Sequence, residues 1–309
     1  MTRGRALGLQ AAVSVLALAG VIWWFSRQDM PQLPSFDEAV GPLSAAVALY
    51  LLATLLRGER WFRLVRRGSR RDAYALTTVG YMGNNALPAR AGDILKAMLT
   101  AHHGGVARRH AFGTLVAERL LDALALGLVF AAVVLAGDLP LGLSSTTLAL
   151  VAAGMALVVV VALVLAPRLR GLIAGLLAPS RELLSPRGGA LLALSAFLWL
   201  AEGGVYAVLG KVAGVPLSLS DGMYVMALAN IAAMVPAAPG YIGTFDAAVV
   251  LGVRLAGAGS SAVALPYVVL VRFVLFVPIT LVGLVLLLSR YGGLATARAA
   301  LRAQPAEAA

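Results

Sequence analysis

The stretch "GYMGNNALPARAGDILKAMLT", residues 80–100, places two amides, a proline and three charges in a segment long enough to enter a lipid bilayer. These residues are Asn84, Asn85, Pro88, Arg90, Asp93 and Lys96. The sequence around them is mostly Leu, Val and Ala. A charged side chain at the centre of a membrane helix costs roughly 2.5–3.5 kcal/mol, so each one needs an internal partner or a function.

The composition is that of a membrane protein. Hydrophobic residues make up 61% of the 309 residues and the mean hydropathy is +0.90, whereas soluble domains are close to half apolar. Continuous apolar runs, rather than the alternation of a β-barrel, predict an all-α polytopic fold with about six full spans. We place these spans at about 6–25, 39–56, 111–136, 146–166, 189–210 and 262–289.

Two further apolar regions, 73–100 and 222–256, are interrupted by Gly, Pro and polar residues. The loop Arg57–Arg71, "RGERWFRLVRRGSRR", holds seven arginines and should face the cytoplasm and its anionic leaflet. If each broken region enters and leaves on one side as a re-entrant hairpin, most basic residues and both termini are cytoplasmic. The alternative, in which one or both regions cross fully, changes the number of spans.

The two broken regions share a short motif. "LPARAGD" (87–93) and "VPAAPGY" (235–241) both contain Pro-Ala and a later Gly, and each is followed by an arginine in an apolar run. Together with the opposite entry sides, this similarity predicts an inverted repeat with halves at about 39–136 and 189–289. Inverted repeats with broken helices that meet near the midplane are common in transporters.

The breaks predict a binding site for a charged headgroup. Proline removes a backbone donor, and irregular backbone within a bilayer is tolerated only where it is buried in protein or lines a wet cavity. A helix that starts after such a break points its amide end at an anion. The alternative is a kinked helix whose polar residues satisfy one another. The predicted break residues are Pro88, Gly92, Pro236, Pro239, Gly240 and Gly243.

Several charges lie at membrane depth in other segments. Glu118, Arg119 and Asp122 can share a helix face and carry a net negative charge, so a further cation such as Arg90 or Lys96 is expected. Arg119 can reach either Asp122 or Asp93. A headgroup or proton site and a structural ion-pair network are both open, and one network can do both.

Arg272, in the last span, has no acid nearby in sequence, so its partner is expected to be Asp246 or Glu202. An unpaired arginine would instead be a phosphate ligand, since guanidinium binds phosphate in a fork. The predicted headgroup-binding residues are Asn84, Asn85, Arg90, Asp93, Lys96, Arg119, Tyr241, Asp246 and Arg272. The predicted charge network comprises Glu118, Asp122 and Glu202.

Other function classes find little support. The sequence has no cysteine, and its three histidines lie near one basic turn, so we predict no metal, no cofactor and no catalytic residues. Cytoplasmic arginines explain the net charge of +11 better than nucleic-acid binding does.

The motifs "NNALPARAGDILKA", "VAERLLDALAL" and "VPAAPGYIGTFDAAVV", followed by Arg272, resemble the lysylphosphatidylglycerol synthase transmembrane-region family over about 40–290. This family includes the flippase-like domain of the multiple peptide resistance factor and stand-alone proteins. We predict one transmembrane domain, 1–290, with a short cytoplasmic tail, 291–309. By position it carries over Arg90, Asp93, Glu118, Arg119, Asp122, Gly240, Gly243, Asp246 and Arg272.

The resemblance implies lipid translocation across the bacterial inner membrane, without an enzymatic domain. The expected substrate is a phosphate-headgroup lipid, either a phospholipid or a polyprenyl-phosphate carrier. A non-transporting scaffold for envelope synthesis and, further off, a lipid-phosphate enzyme are the alternatives. The lipid, the direction of transport and a homodimeric state are left open.

Overall fold

The computed structural model describes residues 35–87, 90–135, 185–234, 239–293 and 295–296. All regular structure in this part of the chain is helical, as predicted. The helices are α1 (Phe36–Val65), α2 (Arg70–Ala86), α3 (Ala91–Gly104), α4 (Arg108–Leu135), α5 (Pro186–Val212), α6 (Leu219–Met234), α7 (Thr244–Leu255) and α8 (Ser261–Arg290). A 3-10 turn, Pro239–Tyr241, lies between α6 and α7.

Several predictions fall outside the described residues. They are the spans at 6–25 and 146–166, the prolines Pro88 and Pro236, and the tail beyond residue 296.

Within the described residues, three helices are long and apolar enough to cross a membrane: Asp37–Val65, Pro186–Val212 and Val263–Arg290. They correspond to the predicted spans at 39–56, 189–210 and 262–289. Helix α4 covers the predicted span at 111–136 but is not among the three, because Glu118, Arg119 and Asp122 lie in its middle. The described part of the chain is thus all-helical, as expected of a helical membrane protein.

The prediction of a loop beginning at Arg57 is wrong. Helix α1 continues to Val65 and ends at Arg66, which adopts a left-handed conformation with φ 59°. Arg57 and Arg60 therefore lie on the helix, only 3% and 0% exposed. Arg67, in the short connection after α1, and Arg70 and Arg71, at the start of α2, are exposed. Orientation by charge counting fails at Arg57 and Arg60 because acids on other helices neutralise them.

Both broken regions fold back on themselves as helical hairpins. Gly80 lies against Lys96 and Gly83 against Gly92, so α2 and α3 run antiparallel. In the second region Gly252 of α7 packs against Val225 of α6, on the far side of the break. The hairpins pack among α1, α4, α5 and α8, and α2 of the first hairpin contacts the 3-10 turn of the second.

The two helices of the first hairpin come into close contact at Gly92. A Cβ atom at Gly92 would collide with the backbone of Gly80, Gly83 and Asn84. Only glycine permits this approach, so Gly92 fixes how near the start of α3 comes to the end of α2.

Candidate functional site

A polar cavity of about 90 Å³ lies where the two breaks meet. It is large enough for several water molecules, since one needs roughly 10–15 Å³ by this measure. Asn84, Asn85 and Arg90 line it from the first break, and Tyr241 lines it from the second. Four further charged or amide side chains line it: Arg57, Arg119, Glu202 and Asn230.

The first break is held by an exchange of hydrogen bonds between the two helices of its hairpin. The Asn84 side-chain amide donates to Asp93 Oδ1 at 3.0 Å, and the Asp93 backbone amide donates to Asn84 Oδ1 at 3.0 Å. The asparagine thus satisfies a free amide at the start of α3, as an N-terminal cap does elsewhere. This contact gives a definite role to one of the two amides in the opening stretch.

Arg90 joins the first break to the second hairpin. Its Nη1 donates to the Ala233 carbonyl at 3.2 Å, its Nε lies 3.4 Å from Asp93 Oδ2, and its guanidinium lies over the Tyr241 ring at 5.8 Å. The side chains of Arg90 and Arg119 are 23% and 28% exposed. Both are less enclosed than Arg57, Arg60 and Lys96.

Arg90 and Tyr241 also share an unusual backbone. Both have φ 55°, a left-handed conformation that costs a non-glycine residue roughly 1–2 kcal/mol. The third such residue in the described part of the chain, Arg66, ends α1. Glycine would fit these two backbone positions better, so their side chains are retained at an energetic cost, as is typical of functional sites.

The second break is held from outside by Arg272. This side chain donates to the Gly240 carbonyl at 3.0 Å and the Tyr241 carbonyl at 3.4 Å. Its Nε and Nη2 bind the Asp246 carboxylate in a fork, at 2.5 and 2.9 Å. Asp246 in turn accepts from the Gly243 amide at 2.9 Å. Of the two predicted partners, Asp246 is therefore the correct one, and the alternative of an unpaired Arg272 is wrong.

A buried ion-pair network lies behind the first break. Glu118 accepts from Lys96 Nζ at 2.5 Å and from Arg60 Nη2 at 3.3 Å. Asp122 accepts from Arg60 Nη1 at 2.7 Å and from Arg119 Nη1 at 2.9 Å. Lys96 supplies an expected cation, whereas Arg60 was missed because it was assigned to the loop. The sequence does contain a signal for the burial of Arg60, because "WFRLV" (61–65) directly after it extends the apolar run.

Arg119 connects this network to the cavity. Its Nη2 donates to Asp93 Oδ1 at 3.1 Å while its Nη1 binds Asp122. The predicted contact with Asp93 and the predicted contact with Asp122 are therefore both present.

A second ion pair spans the cavity between α1 and α5. Arg57 Nη2 donates to Glu202 Oε2, and Asn230 donates to Glu202 Oε1 at 3.1 Å. The Arg57 guanidinium also stacks over the rings of Tyr81 and Trp199, at 5.1 and 5.4 Å. Arg57 was not predicted as a site residue, again because the sequence was interpreted as a loop there.

The family model for the lysylphosphatidylglycerol synthase TM region matches residues 10–283. This chain belongs to that family. The match confirms the resemblance drawn from the four motifs and extends it toward the N-terminus. Membership implies a lipid-related function in a membrane. A comparison with curated proteins found no match.

The predicted headgroup residues of this family member divide into two sets. Asn84, Asn85, Arg90, Arg119 and Tyr241 line the cavity. The others lie behind the lining and support it: Asp93, Lys96, Asp246 and Arg272. Lys96, for example, is 1% exposed, with its ammonium group 3.9 Å from the centre of the Trp61 ring. Binding of a headgroup by either set stays a prediction.

The remaining predictions concern the break residues and metal binding. Gly92, Pro239, Gly240 and Gly243 lie at or beside the breaks, and Gly240 and Gly243 have positive φ. Among the described residues, no group of three or more His, Asp or Glu side chains has an arrangement that could hold a metal ion.

Proposed function

We propose that this protein moves a phosphate-headgroup lipid across the bacterial cytoplasmic membrane. The observation that carries the proposal is the meeting of both helix breaks at one polar cavity, with Arg90 and Tyr241 in left-handed backbone on either side. In this mechanism the headgroup enters the cavity while the acyl chains stay in the lipid. We assign the phosphate contacts to Arg90 and Arg119, and the positioning of the breaks to Asp93, Asp246 and Arg272.

Unpartnered donors support an anion in this cavity. Among the described residues, Arg57 Nε, Arg119 Nε, Trp199 Nε1 and the Tyr206 hydroxyl are buried without a hydrogen-bond partner, and all four residues line the cavity. A buried donor without an acceptor costs about 1–3 kcal/mol. Phosphate oxygens, which accept several bonds at once, would satisfy those donors that face the cavity.

The proposed topology is an inverted repeat of two re-entrant hairpins, with both termini in the cytoplasm. The spacing of the two arginine–aspartate pairs supports this repeat. Arg119 follows Asp93 by 26 residues and Arg272 follows Asp246 by 26 residues, and each pair joins the first turn after a break to the next long helix. Two broken elements that enter from opposite faces would let the cavity open to each leaflet in turn. The exposed arginines 67, 70 and 71 would then lie at the anionic inner leaflet.

Lipid exchange in reconstituted vesicles tests the proposal. Vesicles are prepared with the purified protein and a fluorescent phospholipid. This lipid should exchange between the leaflets faster than in vesicles without protein. Arg90→Ala should abolish this excess rate, because it removes a partly exposed cation that lines the cavity and is assigned to the phosphate. Arg254→Ala is the matched control, since Arg254 is exposed at the end of α7, and it should leave the rate unchanged.

Two outcomes would contradict the proposal. If the wild-type protein gives no excess exchange with any phospholipid or polyprenyl phosphate, it is not a flippase. If neutralising Arg66, Arg67, Arg70 and Arg71 harms envelope function in cells while Arg90→Ala does not, a scaffold role explains the protein better.

A further inference from the structure

The charge balance around the cavity leaves one cation in excess. The cavity and its adjoining network contain five cations, namely Arg57, Arg60, Arg90, Lys96 and Arg119. They contain four carboxylates, namely Asp93, Glu118, Asp122 and Glu202. Arg272 and Asp246 form a separate, balanced pair. Counted over the described residues, the interior therefore has a net charge of +1, which one monoanionic group would balance.

Each of these four carboxylates already has a cation. Glu118 has Lys96 and Arg60, Asp122 has Arg60 and Arg119, and Asp93 lies between Arg119 and Arg90. Glu202, the one carboxylate that lines the cavity, is bound by Arg57 and by the Asn230 amide. The described residues thus offer a headgroup no free carboxylate.

The aromatic side chains of the cavity already bind a cation of the protein. Aromatic rings around a carboxylate are the usual receptor for ammonium groups, and Tyr81, Trp199 and Glu202 form such a cage. The guanidinium of Arg57 occupies it, within about 5 Å of both ring centres. Arg57 is 3% exposed, so it is a fixed part of the wall rather than a mobile surface side chain.

We infer that this cavity selects an anionic phosphodiester headgroup that carries no amino group, and rejects the cationic lysyl lipid that appears in the family's name. The inference rests on the proposed function and names its substrate class. A phosphodiester carries one negative charge and neutralises the excess cation. A lysyl headgroup brings two ammonium groups toward an interior that is already positive, and like charges brought together in an interface are strongly disfavoured. A diphosphate headgroup carries more negative charge than the one excess cation neutralises.

The test compares lipids of different headgroup charge. The probes are phosphatidylglycerol, phosphatidylethanolamine, lysyl-phosphatidylglycerol and a polyprenyl diphosphate. Exchange is measured in vesicles with a fluorescent tail label, and binding of short-chain forms to the detergent-solubilised protein is measured by native mass spectrometry. We expect phosphatidylglycerol to bind and exchange at least about tenfold better than the lysyl lipid, since about 1.4 kcal/mol suffices for that factor.

Two variants isolate the cause. Arg57→Gln leaves Glu202 free and brings the interior to zero net charge, so it should reduce the preference for phosphatidylglycerol and admit the amino headgroups. Arg57→Gln with Glu202→Gln also empties the aromatic cage but keeps the net charge at +1, so it should restore the preference for phosphatidylglycerol. The double variant leaves no unpaired buried charge and keeps the protein testable if the single variant fails to fold.

The outcomes separate the inference from the proposed function. Equal or better binding of the lysyl lipid by the wild-type protein overturns the inference, as does a double variant with the same selectivity as Arg57→Gln. Selective binding of phosphatidylglycerol without leaflet exchange sustains the inference and overturns the flippase proposal. Absence of both binding and exchange overturns both.

Discussion

The first break is closed by its own hairpin, whereas the second is closed from outside. At the first break Asn84 and Asp93 exchange hydrogen bonds and Gly92 lies against the backbone of α2. At the second break the carbonyls of Gly240 and Tyr241 are bound by Arg272, which belongs to α8. Two similar sequence motifs therefore produce breaks of different mechanical character. At the first break the hydrogen bonds to the backbone come from within the hairpin, whereas at the second the carbonyls depend on one side chain of a neighbouring helix.

This difference suggests a division of labour within the proposed transport cycle. Movement of α8 relative to α7 would change the conformation of the second break directly, while the first break would keep its shape. Arg90 is joined to both, since it contacts Asp93 of the first hairpin and the Ala233 carbonyl of the second. The comparison of the two breaks can be tested at four points.

The largest effect is expected for Arg60→Met, in the network behind the first break. Arg60 is 0% exposed and binds Glu118 and Asp122, so its removal leaves two buried carboxylates short of a cation. Breaking a buried pair in this way costs about 3–5 kcal/mol. The free energy of unfolding of the detergent-solubilised protein should fall accordingly. Arg63→Met is the control, because Arg63 is 51% exposed on the same helix, and such surface pairs contribute about 0–1 kcal/mol. Equal stability of the two variants would contradict the importance of the network.

The next effect compares a glycine from each break. Gly92→Ala places a methyl group against backbone atoms that have no freedom to move aside, and we expect a loss of about 3 kcal/mol in unfolding free energy. Gly240→Ala meets nothing closer than the Asn85 carbonyl at 3.4 Å, and its cost comes from the left-handed φ of 63°, about 1–2 kcal/mol. Thermal unfolding in detergent measures both. If Gly240→Ala is the more harmful substitution, the first break is not the more tightly packed of the two.

The third effect concerns the clamp on the second break. Arg272→Gln removes the fork to Asp246 and the bonds to the Gly240 and Tyr241 carbonyls, and hydrogen bonds to charged groups contribute about 1.5–3 kcal/mol. Backbone amide hydrogen exchange should become faster over residues 240–246 and stay unchanged over 84–93. Arg272→Lys keeps the charge but loses the fork, so it should rescue only part of the protection. Equal loss of protection at both breaks would show that Arg272 stabilises the bundle as a whole.

Arg272 and Arg57 show which contacts of the site the sequence predicts and which it does not. The broken hairpins follow from Pro and Gly within apolar runs, and the partner of Arg272 was predictable because the choice was between two acids. The position of Arg57 was not, because positive-inside counting treats an arginine near a helix end as exposed. Its burial depends on Glu202, 145 residues away in the chain. Such a long-range pair leaves no trace in local composition, and the same is true of the pair between Arg60 and Asp122.

The smallest effect on folding, and the most informative for function, is expected at the two left-handed residues. Arg90→Gly and Tyr241→Gly relieve an unfavourable φ, which offsets the roughly 0.5–1 kcal/mol that glycine adds through backbone entropy. Stability in detergent should therefore change by less than about 1 kcal/mol in both variants. Lipid exchange in vesicles should nevertheless be lost in Arg90→Gly, because the phosphate loses one of its two assigned cations. Exchange should be reduced in Tyr241→Gly, which loses only the ring under Arg90. Arg90→Lys should retain part of the exchange. A variant that unfolds would place Arg90 among the structural residues, whereas a stable Arg90→Gly protein with normal exchange would show that the first break contributes its shape alone.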